Sequence, residues 1–368
     1  MKNNINFIDL KSQYLELQNE IDSEIKSVID SHIFINGPIV KNFEEKFSLF
    51  CNTKYAVGCS SGTDALILSL LALNIGKDDE VITTPFTFFA TVEAIIRVGA
   101  KPVFVDICDK TFNIKTENIL EKITNKTKAI IPVHLYGQCA NIKEIKKIIK
   151  NKNIFIIEDA AQAIGSEHHK EKAGSLGTLG CFSFFPTKNL GGFGDGGIIT
   201  TNDKSLYDKL LSLRQHGTDL ENLYFYKYLG GNFRLDAIQA AVLKVKLKKI
   251  NEWNSKRINN ANFYLSNIKN KKVSLPQQSS NSKHVFHQFT IKTKNRNELK
   301  DYLKDLDIAS AIYYPYPLHL QPNVRFLNYK KGDFPNVEKA CSEVLSIPIH
   351  QYLKISDLEY IVETINKW

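Results

Sequence analysis

The sequence predicts an α/β fold, in which helices cover both faces of a mostly parallel sheet. Strand-like and helix-like segments alternate through the first part of the 368-residue chain, which is the pattern of repeated β–α–β units. Residues 153–157 form an uncharged run of strand character, as expected of a strand that is buried on both faces. The predicted strands of this part are 55–58, 81–84, 102–106, 128–134 and 154–157.

The helices and the second half of the chain have signals of their own. Asn141 is a predicted N-cap, with Glu144 three residues later, as in a capping box. An amphipathic stretch from Leu235 to Trp253 is predicted to bridge to a second domain. The segments predicted beyond it are an alternating strand at 285–291 and helices near 296–306 and 355–366.

The chain is long enough for two domains, each with its own core. We place a large domain over residues 1–245 and a smaller C-terminal domain over residues 246–368. No internal repeat suggests a different division.

The sequence around Lys188 gives the strongest indication of a catalytic function. A short apolar run ends at Pro186, and five of the seven residues from Gly191 to Gly197 are glycine. The lysine therefore stands where a buried strand ends and where the following backbone is free to bend around a ligand. A partly desolvated amine in such a place can attack a carbonyl. The expected target is the aldehyde of pyridoxal phosphate (PLP).

Two acids, Glu158 and Asp159, lie at the carboxyl end of the buried run at 153–157. Ligands bind at that end of the strands in open α/β sheets. A carboxylate beside the pyridine nitrogen of PLP keeps the ring protonated, so that it can accept electrons. The alternative is that Asp159 caps a helix that begins at Ala160. When Asp159 is taken alone, a role as helix N-cap is favoured. When it is considered together with Lys188, a role beside the pyridine nitrogen of PLP is favoured.

A possible phosphate site follows the first predicted strand. Gly62 and Thr63 open an apolar helix, and their backbone amides together with the Thr63 hydroxyl would bind an anion. When this motif is taken alone, an ordinary Ser/Thr helix cap is the favoured explanation. The segment contains neither a dinucleotide fingerprint nor a P-loop.

Six motifs, taken in order, resemble those of the DegT/DnrJ-type family of PLP-dependent sugar-nucleotide aminotransferases. They are Ser-Gly-Thr at 61–63, Pro-Phe-Thr-Phe at 85–88, Glu-Asp-Ala-Ala-Gln at 158–162, Phe-Ser-Phe-Phe-Pro-Thr-Lys-Asn-Leu-Gly at 182–191, Gly-Asn-Phe-Arg-Leu-Asp at 231–236 and Tyr-Pro-Tyr-Pro-Leu-His at 314–319. The resemblance implies the aspartate-aminotransferase fold (PLP fold type I), with a large, mostly parallel seven-stranded sheet domain and a smaller C-terminal α/β domain. It also implies a homodimer.

The resemblance implies a role for each matching residue around the cofactor. Lys188 would bond to the PLP aldehyde and later move the proton, and Asp159 would pair with the pyridine nitrogen. Gln162 would hydrogen-bond the ring hydroxyl, and Phe88 would stack on the ring. The implied phosphate ligands are Gly62, Thr63, Ser183 and, from the other subunit, Asn232.

The substrate side is implied in the same way. The matching residues are Phe185, Arg234, Tyr313, Tyr314 and His319. Family members often have Tyr in place of Phe185 and His in place of Tyr313, which bears on the identity of the sugar and leaves PLP binding untouched. Some relatives replace the lysine at 188 with His and act as dehydratases. The retained lysine therefore favours transamination.

The predicted reaction moves an amino group from glutamate to a nucleotide-linked keto sugar, as a step in deoxysugar or lipopolysaccharide biosynthesis. The favoured acceptor is C3 of a dTDP-linked 3-keto-6-deoxyhexose, which would give a dTDP-3-amino-3,6-dideoxyhexose. A UDP-linked 3-keto-N-acetylglucosaminuronate, whose carboxylate Arg234 could meet, and a C4 keto sugar remain as alternatives. A non-catalytic regulatory or binding protein of the same fold is the alternative of another class, and the presence of both Lys188 and Asp159 argues against it.

Composition bears on partners and location. The net charge of +9 comes from many lysines, which lie on predicted solvent faces and do not form the arginine-aromatic clusters of nucleic-acid binders, so we predict no nucleic-acid partner. The six cysteines have no zinc-site spacing, and no metal is predicted. No signal peptide and no run of membrane-spanning length is apparent, so we expect a cytoplasmic protein without a membrane partner.

Overall fold

A seven-stranded sheet forms the centre of the computed structural model, which describes residues 5–219 and 221–368. Its order is β1-β9-β8-β5-β4-β2-β3, and only β9 runs antiparallel to its neighbours. The strands are β1 (Tyr55–Cys59), β2 (Glu80–Thr83), β3 (Lys101–Phe104), β4 (Thr127–Ile130), β5 (Phe155–Asp159), β6 (Glu167–His168), β7 (Glu171–Lys172), β8 (Leu179–Ser183), β9 (Gly197–Thr201), β10 (Ser282–Lys283), β11 (Phe289–Lys292) and β12 (Val344–Ile347). The predicted mostly parallel sheet of seven strands is confirmed.

Helices cover both faces of this sheet. They are α1 (Leu10–Ser31), α2 (Gly37–Cys51), α3 (Gly62–Ala72), α4 (Ala90–Arg97), α5 (Ile142–Ile148), α6 (Lys204–Leu213), α7 (Ala237–Leu247), α8 (Ile250–Asn267), α9 (Arg296–Asp305), α10 (Pro335–Glu343) and α11 (Ile355–Lys367). One core contains side chains of α1, α2, α5 and α7, and a second core contains side chains of α3, α4 and α6. In β5, Ile156 enters the first core and Ile157 the second, because successive strand residues face opposite sides.

The smaller α/β unit is built on the antiparallel pair β11 and β12. Side chains of α8, α9 and α11 pack around this pair in a core of its own. The predicted strand at 285–291 is shorter in the structure, where only β11 is extended. Phe286 has a φ of 45°, which interrupts the extended backbone ahead of the strand.

The amphipathic stretch from 235 to 253 is two helices, with the break between α7 and α8. The buried side of α7 lies in the core of the large sheet, together with Ile250 and Trp253 of α8. Further along α8, Ala261 and Tyr264 lie in the core of the small unit. We therefore propose that the two domains divide within α8, since a boundary after residue 245 would fall inside α7.

Both ends of the described chain take part in the small unit. Ile5 forms a parallel bridge with Ile308 and is buried in the small core. The segment from Leu318 to Cys341 returns to the large domain and shares a core with Phe86 and Phe104. In the part of the chain that the structure describes, every helix is either too short or too polar to cross a bilayer.

Candidate active site

A cavity of about 670 Å³ lies where the parallel strands of the large sheet end and the small unit approaches. Asp159 ends β5, Ser183 ends the neighbouring β8, and Lys188 follows five residues later in the chain. The small unit contributes His287 and Gln288, and a further wall comes from the segment 312–314. The cavity thus lies at the carboxyl edge of the sheet, which is where ligands bind in open α/β folds.

Asp159 is fixed in its orientation by its neighbours. Its side chain is 6% exposed, and one oxygen accepts a hydrogen bond of 2.7 Å from the Thr91 hydroxyl. The other oxygen accepts from the backbone amide of Ala161 at 3.2 Å. The Thr91 hydroxyl also lies 3.0 Å from the hydroxyl of Thr87, which is four residues earlier in the chain and precedes α4. Because Thr91 donates its proton to Asp159, Thr87 donates to Thr91, and the carboxylate ends a short chain of hydrogen bonds.

Glu158 points to the opposite side of β5 and has a structural role. Its carboxylate is fully buried and accepts hydrogen bonds from the amides of Gly174 at 2.8 Å and Gly177 at 2.6 Å. His134 Nε2 lies 2.8 Å away, while Nδ1 of the same ring accepts from the amide of Ala140. That pattern places the proton on Nε2, so His134 donates to Glu158. Of the two acids at this strand end, Asp159 is the one that lines the cavity.

Lys188 lies on a tight turn whose shape depends on a glycine. Its amide donates to the carbonyl of Phe185, and a Cβ atom on Gly191 would lie 2.2 Å from the carbonyl oxygen of Pro186. Burial lowers the pKa of the Lys188 amine to about 8, although Asp159 acts in the opposite direction. A substantial neutral fraction near pH 8 gives the amine the lone pair that attack on an aldehyde requires.

The start of α3 also lines the cavity and has the features of an anion-binding helix N-terminus. Ser61 caps this helix, since its hydroxyl oxygen accepts from the amide of Asp64 at 3.0 Å. The first amides of a helix have no partner within it, so those of Gly62 and Thr63 are available to a phosphate. A Cβ atom on Gly62 would lie 2.7 Å from the Cβ of Ser183, which shows how closely α3 approaches β8. A carboxylate, an amine and an anion site on one cavity fit the ring nitrogen, aldehyde and phosphate of PLP.

Gln162 is held by two protein contacts that fix its amide. Its oxygen accepts from the amide of Tyr136 at 2.7 Å, and its nitrogen donates to the Tyr314 hydroxyl at 3.2 Å. Burial and the nearby charge of Asp159 raise the pKa of Tyr314, so this phenol stays neutral. Phe88 lies at the rim with 61% of its surface exposed, and its ring centre is 6.3 Å from that of Tyr314.

The structure brings most of the predicted site residues to this cavity. Those that line it are Gly62, Thr63, Phe88, Asp159, Gln162, Ser183, Phe185, Lys188, Tyr313 and Tyr314. Asn232 and Arg234 lie elsewhere, in a second cavity of about 460 Å³, and Asp195 lines both cavities. The Nε atom of Arg234 is buried without a hydrogen-bond partner among the described residues.

His319 does not reach either of these two cavities. Its side chain is fully buried, with Nε2 3.2 Å from a carboxylate oxygen of Glu338 and its ring edge-on to Phe334. This placement gives His319 a packing role beneath the segment that carries Tyr313 and Tyr314.

Sequence reasoning missed several residues at the site. Thr91 could have been found, because it lies four residues after Thr87 at the start of a helix that follows the aromatic motif. His287 and Gln288 carry no local signal, since only long-range folding brings β11 to this cavity. Burial, together with the charges of Lys188 and Arg257, holds the pKa of His287 well below its ordinary value, so the ring is neutral.

Fold and site together define a PLP-dependent enzyme of the aspartate-aminotransferase type. Residues 15–366 match the family described as the DegT/DnrJ/EryC1/StrS aminotransferase family, and the chain belongs to that family. It is therefore an aminotransferase, and its cofactor is PLP.

Relatives and solved structures match nearly the whole chain. A "pleiotropic regulatory protein" of Geobacillus stearothermophilus is 46% identical over 98% of both chains. A UDP-N-acetyl-3-dehydro-alpha-D-glucosamine 3-aminotransferase of Acidithiobacillus ferrooxidans is 40% identical over 99% of this chain and 97% of its own. A dTDP-3-amino-3,6-dideoxy-alpha-D-galactopyranose transaminase of Aneurinibacillus thermoaerophilus is also 40% identical, over 99% of both.

Two solved structures show the same fold at sequence identities of 36% and 30%. DesV of S. venezuelae, in complex with a ketimine intermediate, superposes with a TM-score of 0.96 over 99% of this chain and 98% of its own. NtdA of Bacillus subtilis, with bound cofactor PMP, gives a TM-score of 0.90 over 99% of this chain and 86% of its own.

The lowered pKa of Lys188 predicts how apoprotein captures PLP. The rate of covalent capture should rise roughly tenfold between pH 7 and pH 9 and then level off, because the neutral fraction of an amine with a pKa of about 8 saturates there. Stopped-flow absorbance of apoprotein mixed with PLP measures this rate. Free Nα-acetyl-lysine is the control and should gain roughly 100-fold over the same interval. A protein that follows the control would contradict the desolvation of Lys188.

Proposed function

We propose that this enzyme moves an amino group from glutamate to C3 of a nucleotide-linked keto sugar, through the site at Lys188 and Asp159. The observation that carries the proposal is that one cavity holds both a desolvated amine and an oriented carboxylate, next to a helix N-terminus. The similarity to two relatives named as sugar-nucleotide aminotransferases supports the substrate class.

The residues of the chain divide the chemistry between them. When bound, PLP supplies an aldehyde for amine attachment and a ring that withdraws electrons from the adjacent carbon. Asp159, held by Thr91, would keep the ring nitrogen of PLP protonated. Lys188 would take the proton from the substrate carbon and return it to the adjoining carbon of the cofactor, and a pKa of about 8 suits the amine both to accept and to donate. The amides of Gly62 and Thr63 bind the phosphate.

The wall of the cavity favours a sugar without an acidic group. Among the described residues that line it, Lys188 provides the one positive charge, because His287 is neutral. Phe185 and Ile312 add apolar surface, which suits the methyl group of a 6-deoxy sugar. We therefore propose a dTDP-linked 3-keto-6-deoxyhexose as the acceptor, with a dTDP-3-amino-3,6-dideoxyhexose as the product.

A second acceptor is favoured by a different observation. The unpartnered Nε atom of Arg234 could meet a carboxylate, as in a UDP-linked 3-keto-N-acetylglucosaminuronate. Because Arg234 lies in the second cavity, we propose that Arg234 of the partner subunit makes this contact. The same arginine could bind a carboxylate of glutamate.

We also propose a homodimer that shares its sites. Asn232 is exposed, and the segment before it presents large apolar side chains to solvent: Leu223 is 67% exposed, Tyr224 89% and Leu229 92%. Several large exposed apolar side chains in one short segment are typical of an interface. A second copy that covers it would bring Asn232 to the phosphate of the neighbouring site. We place the enzyme in the cytoplasm, in amino-deoxysugar biosynthesis of the kind that supplies lipopolysaccharide.

The reaction is tested by the colour of the purified protein. Glutamate should bleach the absorbance of bound PLP, and a 3-keto nucleotide sugar should restore it, faster for the dTDP-linked 6-deoxy sugar than for the UDP-linked uronate. Lys188→Ala should bind PLP and lose turnover, because no amine remains to move the proton. The exposed Lys147→Ala is the matched control. An unchanged spectrum with glutamate would contradict this donor, and a salt-sensitive complex with duplex DNA would favour a regulatory function.

The shared site is tested by mixing two inactive variants. Lys188→Ala and Asn232→Ala subunits, unfolded and refolded together, should recover about a quarter of wild-type activity, because half of the dimers are hybrids with one intact site. Each variant refolded alone is the control. No recovery in hybrids that light scattering shows to be dimeric would mean that Asn232 acts within its own subunit.

A further inference from the structure

Lys246, on α7, is a buried lysine that has no acidic partner. Its side chain is 2% exposed, and among the described residues no carboxylate lies within 4.0 Å of its amine. The amine donates instead to the side-chain oxygen of Gln13 at 2.9 Å and to the carbonyl of Gly191 at 2.8 Å. It also lies 4.7 Å from the ring centre of Phe193. Neighbouring Lys244 is partly buried as well, but its amine has an acidic partner, Glu24 of α1, at 2.6 Å.

A second residue of α7 reaches the same stretch of backbone. Gln239 lies seven residues before Lys246, which is two helical turns and therefore the same face. Its side-chain oxygen accepts from the amide of Phe193 at 2.7 Å. A Cβ atom on Gly192 or Gly194 would lie only 2.8 Å or 3.0 Å from the Gln239 amide group. We call residues 191–194 the glycine segment, and α7 contacts it at two points.

The glycine segment joins two residues of the active-site cavity. Lys188 precedes it by three residues, and Asp195 follows it directly; both line the cavity. The turn between Pro186 and Gly191 is closed, because Gly191 packs against the Pro186 carbonyl. The amide of Gly192 donates to the carbonyl of Phe184 at 2.8 Å. A displacement of the segment would therefore displace the backbone of Lys188.

Burial of Lys246 is unfavourable by itself. Desolvation lowers the pKa of its amine to about 8. Apolar residues of similar volume often replace buried charges without loss of stability. Lys246 nevertheless donates a hydrogen bond to the carbonyl of Gly191. We therefore interpret this contact as one that positions the backbone at Gly191.

We propose that Lys246 and Gln239 are positioning residues, which hold the glycine segment so that Lys188 and Asp195 meet the cofactor in one geometry. Lys246 fixes the segment at Gly191, near the lysine, and Gln239 fixes it at Phe193, near the aspartate. The inference rests on the proposed role of Lys188 and extends it to the helix behind the site.

The test uses Lys246→Met, which keeps the volume of the side chain and removes the donor, with Lys244→Met on the same helix as the matched control. In Lys246→Met, kcat for the glutamate half-reaction should fall about 10²-fold, because the reacting amine is misplaced. KM should change little, since the contact is made before and after substrate binds. Lys246→Gln should recover part of the loss.

Two readouts do not depend on turnover. Hydrogen exchange in the apoprotein should be about tenfold faster at the amides of Gly192 and Phe193 in Lys246→Met, which is the effect of losing one hydrogen bond. With PLP bound, the pH titration of visible absorbance, which reports the Lys188 linkage, should shift in Lys246→Met and stay unchanged in Lys244→Met.

Each result decides one question. Wild-type exchange rates and kcat in Lys246→Met would overturn the inference. If Lys246→Met does not fold, Gln239→Met takes its place. It should show faster exchange at the Phe193 amide and a reduced kcat. Wild-type exchange and kcat in Gln239→Met would also overturn the inference. Retention of transamination by Lys188→Ala would instead overturn the proposed function. The hydrogen-exchange measurement would then still test whether Lys246 holds the glycine segment.

Discussion

The hydrogen bond from Thr91 to Asp159 is the interaction on which the site depends. It connects α4, at the cavity rim, to the end of β5, in the middle of the sheet, and it fixes a buried carboxylate toward the cavity. Glu158, one residue earlier, must then face the other way, where it holds a turn through two glycine amides. Successive side chains of a β-strand face opposite sides, so Asp159 faces the cavity while Glu158 faces the turn that it stabilises.

Burial lowers the pKa of two lysines that have different surroundings and different proposed roles. Desolvation lowers the pKa of both Lys188 and Lys246 to about 8. Lys188 lines a cavity and can turn its amine toward a ligand, whereas Lys246 donates to two fixed oxygens. The glycine segment lies between them in the fold. A Cβ atom on Gly191 would collide with the backbone carbonyl of Pro186, which explains the glycine at that position.

The sequence predicted those features that follow from local patterns. Strand and helix alternation predicted the large sheet, and the positions of Asp159 and Lys188 after buried strands placed both on its carboxyl edge. Features that depend on long-range packing could not be predicted in this way. His287 and Gln288 reach the cavity from the small unit, and α8 belongs to two cores. Asn232 and Arg234 lie in a second cavity, as residues would if they served a neighbouring copy.

We propose that Asp159 holds a proton on the cofactor ring while Lys188 provides the mobile base. Nitrogen-15 NMR of the protein loaded with PLP labelled at the ring nitrogen tests it most directly. The expected result is a protonated ring nitrogen near neutral pH in the wild type and loss of that signal in Asp159→Asn. A ring nitrogen that is unprotonated in the wild type, or whose state is the same in both proteins, would contradict it.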